Sequence, residues 1–271
     1  MVTDIENSQP DRRRWCTTAR GLSLIVGDLR DRGIMSSNVH TLAERLRTQG
    51  IYPARDFAGR CLERAPDLFV TYDWQENYVD LQEAVWSGLD LIGSIVRERR
   101  PDLDEVDVER LIADRIGIWV DFLFIDQSAR DVVGELAVLP ELIEGSDAHF
   151  VLSRTALTRA WCCYELALFN KRDPTEPSGG RTLRSFVTPT LASNYTGFAS
   201  TSSTAPRDKV EIERNIEADY PGGMIGLDGL LMQVSLQSDP FFTRGAAQAV
   251  AAHELVADAI DRWLQHQLGP S

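Results

Sequence analysis

The sequence has few basic residues for its number of acidic ones. Lysine and arginine total 28 against 41 aspartate and glutamate residues, so the 271-residue chain has a formal net charge of −13. A surface of this sign repels phosphate backbones and anionic lipid headgroups. We therefore expect neither nucleic acid nor a membrane surface as a partner.

Long apolar runs are also missing. No 18-residue window is apolar and uncharged enough for a transmembrane helix, and the polar segment 1–14 is not followed by the apolar stretch of an export signal. The cysteines are Cys16, Cys61 and the adjacent pair Cys162 and Cys163. Their spacing fits neither a disulfide framework nor a zinc site. These features predict a cytoplasmic protein.

Several catalytic motifs are absent. The sequence contains no GxxxxGK[ST] loop, no GxGxxG after a strand, no HExxH and no CxxC. Its four histidines, His40, His149, His253 and His266, fall in separate predicted elements. Motif-bearing kinases, NTPases and zinc hydrolases are therefore disfavoured, and we expect no metal site.

What the sequence does contain is an alternation of short apolar runs and longer amphipathic segments. Strands are predicted at 67–72, 116–125, 148–152 and 186–190, and helices at 77–99, 106–115, 131–143 and 158–171. Such alternation predicts an α/β fold with a parallel sheet covered on both faces.

The flanking segments have a different character. Residues 17–63 predict two or three helices, and we interpret residues 1–64 as a helical N-terminal extension of an α/β domain at 65–190. After the Ser/Thr-rich stretch 193–206, helices are predicted at 209–218 and 245–267. Residues 191–271 are therefore expected to form a loop and helical extension that packs on the same domain.

Polar and aromatic residues follow the predicted strands. Ligands of parallel sheets bind outside the carboxyl ends of the strands. The residues there are Tyr72, Asp73 and Trp74 after the first strand, Asp126 and Gln127 after the second, and Ser153 at the end of the third. We assign Tyr72, Asp73, Trp74, Asp126 and Ser153 to a substrate-binding site.

Asp121 lies inside the predicted second strand, two residues after Trp119. Residues two apart in a strand share a face, so both side chains are expected on one side of the sheet. Asp121 then either lines the cleft with the other substrate-binding residues or is buried, in which case its carboxylate needs hydrogen-bond partners.

The helix that begins TRAWCCYELALF carries the main chemical candidate. Trp161 and Glu165 are four residues apart and so lie one turn apart on one helix face. A purely structural interpretation is a half-buried Trp beside a solvated Glu. A functional one is cleavage of an N-glycosidic bond with a cationic leaving group, where Glu165 stabilises the oxocarbenium ion and Trp161 stacks on a flat ring. The adjacent Cys162 and Cys163 are interpreted as small core residues.

The order of these motifs resembles the TIR (Toll/interleukin-1 receptor) domain over residues 67–189. The matching elements are FVTYDW at 69–74, WVD and IDQ within 119–127, EGSD at 144–147, FVLS at 150–153 and WCCYEL at 161–166. The segment WVDFLFIDQ is also similar to the WxDxxxIDQ signature of fungal heterokaryon-incompatibility domains. Two positions depart from the TIR pattern, since Thr71 and Arg159 stand where the family often has serine.

The resemblance implies a flavodoxin-like three-layer sandwich that hydrolyses or cyclises NAD⁺ without a further cofactor. Glu165 matches the catalytic glutamate and Trp161 the aromatic residue at the nicotinamide end, while Tyr72, Asp73 and Ser153 match substrate-contacting positions. It also implies immune, antiphage or cell-death signalling, with self-association or other TIR-like domains as partners. The alternatives are a non-catalytic TIR-like interaction module and a nucleoside deoxyribosyltransferase-like enzyme.

Overall fold

The structure is a computed structural model. It describes residues 15–51, 56–75, 77–125, 139–146, 148–151, 155–169, 185–187, 195–203, 206–238, 260–261 and 263–265. Within this part of the chain, no helix has both the length and the hydropathy needed to cross a bilayer.

Six strands of the described residues form one mixed sheet. They are β1 (Trp15–Thr17), β2 (Cys61–Glu63), β3 (Leu68–Thr71), β4 (Ile118–Trp119), β5 (Ala148–Val151) and β6 (Ser185–Val187), in the spatial order β2-β1-β4-β3-β5-β6. Strands β4, β3, β5 and β6 are parallel, whereas β1 is antiparallel to both β2 and β4. The predicted α/β class is confirmed.

Helices alternate with these strands. They are α1 (Ala19–Asp31), α2 (Val39–Thr48), α3 (Tyr78–Arg99), α4 (Glu105–Arg115), α5 (Asp121–Phe124), α6 (Leu139–Glu144), α7 (Ala160–Phe169), α8 (Pro206–Asp219) and α9 (Gly223–Ser238). Side-chain caps explain where three of them begin: Thr18, Asn38 and Asp104 accept hydrogen bonds from backbone N–H groups of α1, α2 and α4.

Most predicted helices are present. Those expected at 77–99, 106–115, 158–171 and 209–218 correspond to α3, α4, α7 and α8. Most of the helix predicted at 245–267, and residues 131–138 of the one predicted at 131–143, lie outside the described residues. Helix α9 is an addition, since it lies between the helices predicted at 209–218 and 245–267.

The N-terminal segment contributes more than the predicted helices. Strands β1 and β2 pair with Trp15 opposite Glu63, and β1 continues the sheet by pairing Thr17 with Ile118 of β4. Three-residue strands are too short to show a two-residue hydrophobic period, so their sequences do not reveal them. The prediction of two or three helices for residues 17–63 therefore misses the strand residues Thr17 and Cys61–Glu63.

The predicted second strand is mostly not a strand. Only Ile118 and Trp119 pair in the sheet, and α5 begins at Asp121. Because 116–125 is apolar nearly throughout, its pattern cannot separate a buried strand from a buried helical turn. The expectation that Trp119 and Asp121 share a strand face is wrong for this reason.

Helices cover both faces of the sheet at β5. Phe150 and its neighbour His149 point to opposite faces, as successive strand residues do. On the Phe150 face, α3 approaches so closely that a Cβ added to Gly88 would lie 2.4 Å from Phe150 Cε2. On the His149 face, Phe169 of α7 lies 5.0 Å from the imidazole ring between centroids.

Helix α7 is enclosed from two sides. Its buried residues include Cys163 and Leu166, which belong to a cluster with Val151 of β5 and with Ile212 of α8 and Leu231 of α9. A helix with apolar neighbours on two sides is apolar around its circumference. The sequence AWCCYELALF fits this environment, and Glu165 is its single charged residue.

Candidate functional site

The candidate site lies at the carboxyl end of β3. This strand is central among the parallel strands, with β4 on one side and β5 on the other. The chain passes from β3 to β4 on one side and later returns to β5 on the opposite side, so the strand order reverses between β3 and β5. Ligands of open parallel sheets bind at such a reversal.

One polar group at this position is formed by Thr71, His149 and Glu165. Thr71 follows Phe69 by two residues, and Phe69 pairs with His149 in the parallel register, so Thr71 and His149 share a face. Helix α7 brings Glu165 to the same face. The Thr71 hydroxyl donates to Glu165 Oε2 at 2.5 Å, and its oxygen lies 2.7 Å from His149 Nε2.

Burial controls the charge of this group. Thr71, His149 and Glu165 are all buried. Burial raises the pKa of Glu165 to about 8, and the charge of Asp121 adds to this effect while the hydrogen bond from Thr71 opposes it. Burial also lowers the pKa of His149 to about 3. At pH 7 the free protein therefore holds a protonated Glu165 beside a neutral imidazole.

A second polar group joins Asp121 to the residues after β3. The Tyr72 hydroxyl donates to Asp121 Oδ1, and the Trp74 indole N–H donates to Oδ2. Burial raises the pKa of Asp121 to about 6, although both hydrogen bonds act in the opposite direction. Asp121 is half-buried, and both of its carboxylate oxygens have the hydrogen-bond partners that a buried carboxylate needs. These two bonds orient the Tyr72 hydroxyl and the Trp74 indole.

A third group forms around Asp73, which is also buried. Thr155 Oγ1 donates to Asp73 Oδ2 at 2.7 Å, and the backbone N–H of Gln75 donates to Oδ1 at 3.1 Å. Arg159 Nε lies 3.6 Å from the same Oδ1. Asp73 thus ties the segment before α7 to the end of β3, and Arg159, one of the two departures from the TIR pattern, takes part in that connection.

Trp161 lies one turn before Glu165 in α7, as the spacing predicts. It is half-buried, packs against the apolar cluster that encloses α7, and lies edge-on to the Tyr164 ring with centroids 6.0 Å apart. The remaining predicted residues, Asp126, Gln127 and Ser153, lie outside the described residues.

No protein-family model, no curated protein and no solved structure matches this chain. The three polar groups are therefore the basis of the function proposed below.

The two adjacent cysteines are core residues, as predicted. Cys162 Sγ lies 3.4 Å from the backbone oxygen of Tyr72, and Cys163 Sγ lies 3.4 Å from that of Leu157. Burial raises the pKa of both thiols, so neither is a thiolate at neutral pH. Among the described residues, His, Cys, Asp and Glu side chains do not gather in threes as a metal site would require.

His149 and Thr71 belong to the site but are not among the residues predicted for it. One signal was available: a histidine within the apolar strand 148–152 is fully buried if the strand is central, and a buried imidazole needs a polar partner. The identity of that partner depends on the register between β3 and β5, which the sequence does not reveal.

Proposed function

We propose that this chain is a TIR-like NAD⁺ nucleosidase that cleaves the nicotinamide–ribose bond with Glu165 as its catalytic carboxylate. The observation that carries the proposal is the hydrogen bond from Thr71 to Glu165 Oε2. It holds a buried carboxyl group at the last residue of the central parallel strand, where such sheets bind their ligands.

The strand order supports a flavodoxin-like fold for the proposed enzyme. The four parallel strands lie in the spatial order β4-β3-β5-β6. If they are numbered 1 to 4 along the chain, this order is 2-1-3-4. A flavodoxin-like sheet has the order 2-1-3-4-5, and the four parallel strands agree with its first four positions. Strands β1 and β2 extend the sheet beyond β4.

The raised pKa of Glu165 fits a cationic substrate. A positive charge placed a few ångströms from a carboxyl group favours its ionised form. Binding of the nicotinamide cation of NAD⁺ would therefore lower the pKa of Glu165, and its proton would be released to solvent. The resulting carboxylate then stabilises the positive charge that develops on the ribose as the glycosidic bond breaks. The departing nicotinamide is neutral and needs no proton.

Trp161 has the chemistry to orient the leaving group. Its ring lies one helical turn from Glu165 and is half-buried, and an indole face stacks on aromatic or cationic rings. The reaction yields ADP-ribose when water attacks the ribose and a cyclic product when a group of the substrate does. The TIR resemblance assigns either product to immune, antiphage or cell-death signalling.

One observation favours a second candidate, a nucleoside-processing enzyme of the deoxyribosyltransferase kind. Glu165 is protonated at neutral pH in the free protein because burial raises its pKa to about 8. A protonated carboxyl group can act as a general acid for a neutral base as leaving group. The two candidates therefore differ in the protonation state of Glu165 that is active.

The deciding experiment is to incubate the purified protein with NAD⁺ and measure nicotinamide release by chromatography. Glu165→Gln is expected to reduce the rate by about 100-fold or more, because removing a group that stabilises transition-state charge typically has an effect of that size. Glu109→Gln, at an exposed position of α4, serves as the matched control and is expected to keep the wild-type rate.

Three outcomes would contradict the proposal. Undiminished release in Glu165→Gln removes Glu165 from catalysis. Turnover of nucleosides but not of NAD⁺ favours the second candidate. No turnover of either substrate at high protein concentration favours a non-catalytic TIR-like interaction module.

A further inference from the structure

The Thr71 hydroxyl lies between an imidazole and a carboxyl group in a buried environment. Its oxygen is 2.7 Å from His149 Nε2 and 2.5 Å from Glu165 Oε2. A hydroxyl has one hydrogen to donate and can accept from another donor. Which ring nitrogen of His149 carries the hydrogen therefore decides whether the Thr71 hydroxyl can donate to Glu165.

The two tautomers of neutral His149 have different consequences. With the hydrogen on Nε2, His149 donates to the Thr71 oxygen, and the Thr71 hydrogen is directed to Glu165. With the hydrogen on Nδ1, Nε2 accepts the Thr71 hydrogen, and Glu165 must itself be protonated to bond with Thr71. An ionised Glu165 at this distance is compatible with the Nε2–H tautomer alone. In the Nδ1–H tautomer Thr71 has one hydrogen for two acceptors, so its oxygen would face an unprotonated acceptor at either Nε2 or Glu165 Oε2.

We propose that His149 is a positioning residue for Glu165, whose Nε2–H group fixes the Thr71 hydroxyl in the orientation that donates to the ionised carboxylate. The effect of this positioning on catalysis rests on the proposed function. The tautomer of His149 and its effect on the ionisation of Glu165 do not.

The surroundings of His149 suit this role. The imidazole centroid lies 5.6 Å from the Phe69 ring and 5.0 Å from the Phe169 ring, and the residue is fully buried. Ring contacts on β3 and α7 hold the imidazole plane in place between the two elements that carry Thr71 and Glu165. Because burial lowers its pKa to about 3, His149 acts as an uncharged donor rather than as an ion-pair partner.

The first test needs no activity and no variant. The ¹⁵N chemical shifts of His149 in the full-length protein report its tautomer, and at pH 9.5 Glu165 is ionised because that pH exceeds its pKa of about 8. The expected result is the Nε2–H tautomer. An Nδ1–H tautomer at this pH would overturn the proposal.

The second test measures the ionisation of Glu165 by its carboxyl infrared band, identified by its loss in Glu165→Gln. Thr71→Val keeps the side-chain shape but removes the hydroxyl. It is expected to raise the pKa of Glu165 by about one to two units, since a hydrogen bond to a charged group is worth about 1.5–3 kcal/mol and one unit corresponds to about 1.4 kcal/mol. Thr71→Ser is expected to restore the wild-type value.

His149→Leu, at a similar volume, is expected to raise the pKa of Glu165 by less than Thr71→Val does, because the Thr71 hydroxyl remains but loses its fixed orientation. In the Thr71→Val background the same substitution is expected to have no further effect. His149→Gln, which carries an N–H group near the position of Nε2, is expected to reverse most of the change. Equal pKa shifts from His149→Leu with and without the Thr71 hydroxyl would show that His149 acts by packing alone and would overturn the proposal.

Kinetics give a third test if the chain cleaves NAD⁺. Thr71→Val is expected to lower kcat/KM by about 10- to 100-fold and His149→Leu by about 2- to 10-fold, because both substitutions destabilise the ionised form of Glu165 that the bound cation and the transition state require. The double variant is expected to match Thr71→Val, which is the signature of two residues acting through one contact. Additive losses would contradict the proposal. If wild-type protein releases no nicotinamide, the proposed function fails, while the tautomer and the infrared titration still decide the role of His149.

Discussion

Thr71 donates a hydrogen bond to Glu165 across 94 positions of sequence, from the last residue of β3 to the middle of α7. This contact connects the central strand of the sheet to the helix above it at the point where the strand order reverses. Four consecutive residues from Thr71 to Trp74 have side-chain hydrogen bonds to residues distant in the sequence. The end of β3 is therefore fixed by polar contacts in several directions.

The rate of NAD⁺ cleavage is expected to rise with pH. Burial raises the pKa of Glu165 to about 8, and the neighbouring Asp121, with a pKa of about 6, is already ionised when Glu165 titrates. If the carboxylate is the active form, kcat/KM should increase between pH 6 and pH 9 and level off above the pKa of Glu165. The check is a profile of kcat/KM for nicotinamide release; a fall across this range would instead indicate a general acid.

The contribution of Glu165 to protein stability is expected to fall as the pH rises, opposite to the rate of NAD⁺ cleavage. The folded-state pKa of Glu165 is about 8 against an ordinary value of 4.5, so the folded state binds this proton more tightly than the unfolded state does. That contribution is fully present below about pH 4.5 and is lost as the pH rises to about 8, at about 1.4 kcal/mol per pH unit. Relative to wild type, Glu165→Gln should therefore gain stability between pH 5 and pH 8.

Urea unfolding of the two proteins at pH 5 and pH 8 measures this difference. Comparing each variant with wild type at the same pH cancels contributions common to both, such as the lowered pKa of His149. Glu109→Gln, at an exposed position, is the control and should follow wild type at both pH values. A constant difference between Glu165→Gln and wild type would contradict the raised pKa.

Asp121→Asn is expected to destabilise the fold. Tyr72 and Trp74 donate to separate oxygens of this carboxylate, whereas an amide has one oxygen and leaves one of the two donors facing an N–H group. An unsatisfied buried polar group costs about 1–3 kcal/mol, to be measured by urea unfolding at pH 8. Asp90→Asn, at an exposed position of α3, should change stability by less than about 0.5 kcal/mol. Equal changes in stability from the two substitutions would show that the Asp121 carboxylate has no special structural role.

Trp161→Ala is expected to raise the KM for NAD⁺ by about 3- to 10-fold, which corresponds to the energy of an aromatic stacking contact. The measurement is steady-state nicotinamide release. Trp161→Phe keeps an aromatic ring and is expected to lie between wild type and Trp161→Ala. A KM that is unchanged in Trp161→Ala would show that the indole of Trp161 packs against the protein without contacting the substrate.

The sequence predicts those features that depend on local periodicity. The long helix α3 is evident from apolar residues at helical spacing, and Leu81, Val85 and Leu89 are buried as that spacing requires. The one-turn separation of Trp161 and Glu165 is equally local. The α/β class follows from the alternation of such segments.

Features that depend on pairing between distant segments are not predicted. Strands β1 and β2 have three residues each. They are defined by their pairing with each other and by the pairing of β1 with β4. The grouping of Thr71, His149 and Glu165 depends on the register of β3 against β5 and on the placement of α7. The apolar stretch 116–125 is ambiguous for another reason, since both a strand and a buried helical turn satisfy it.

The enclosure of α7 determines which segments of the chain are needed to keep Glu165 in place. A fragment cut to residues 67–189, the span of the TIR resemblance, would lack α8 and α9 and would leave residues such as Cys163 and Leu166 without their apolar neighbours Ile212 and Leu231. Solvent contact along that uncovered surface favours aggregation. The position of the Glu165 carboxylate thus depends on helices α8 and α9, although no residue of these helices belongs to the three polar groups.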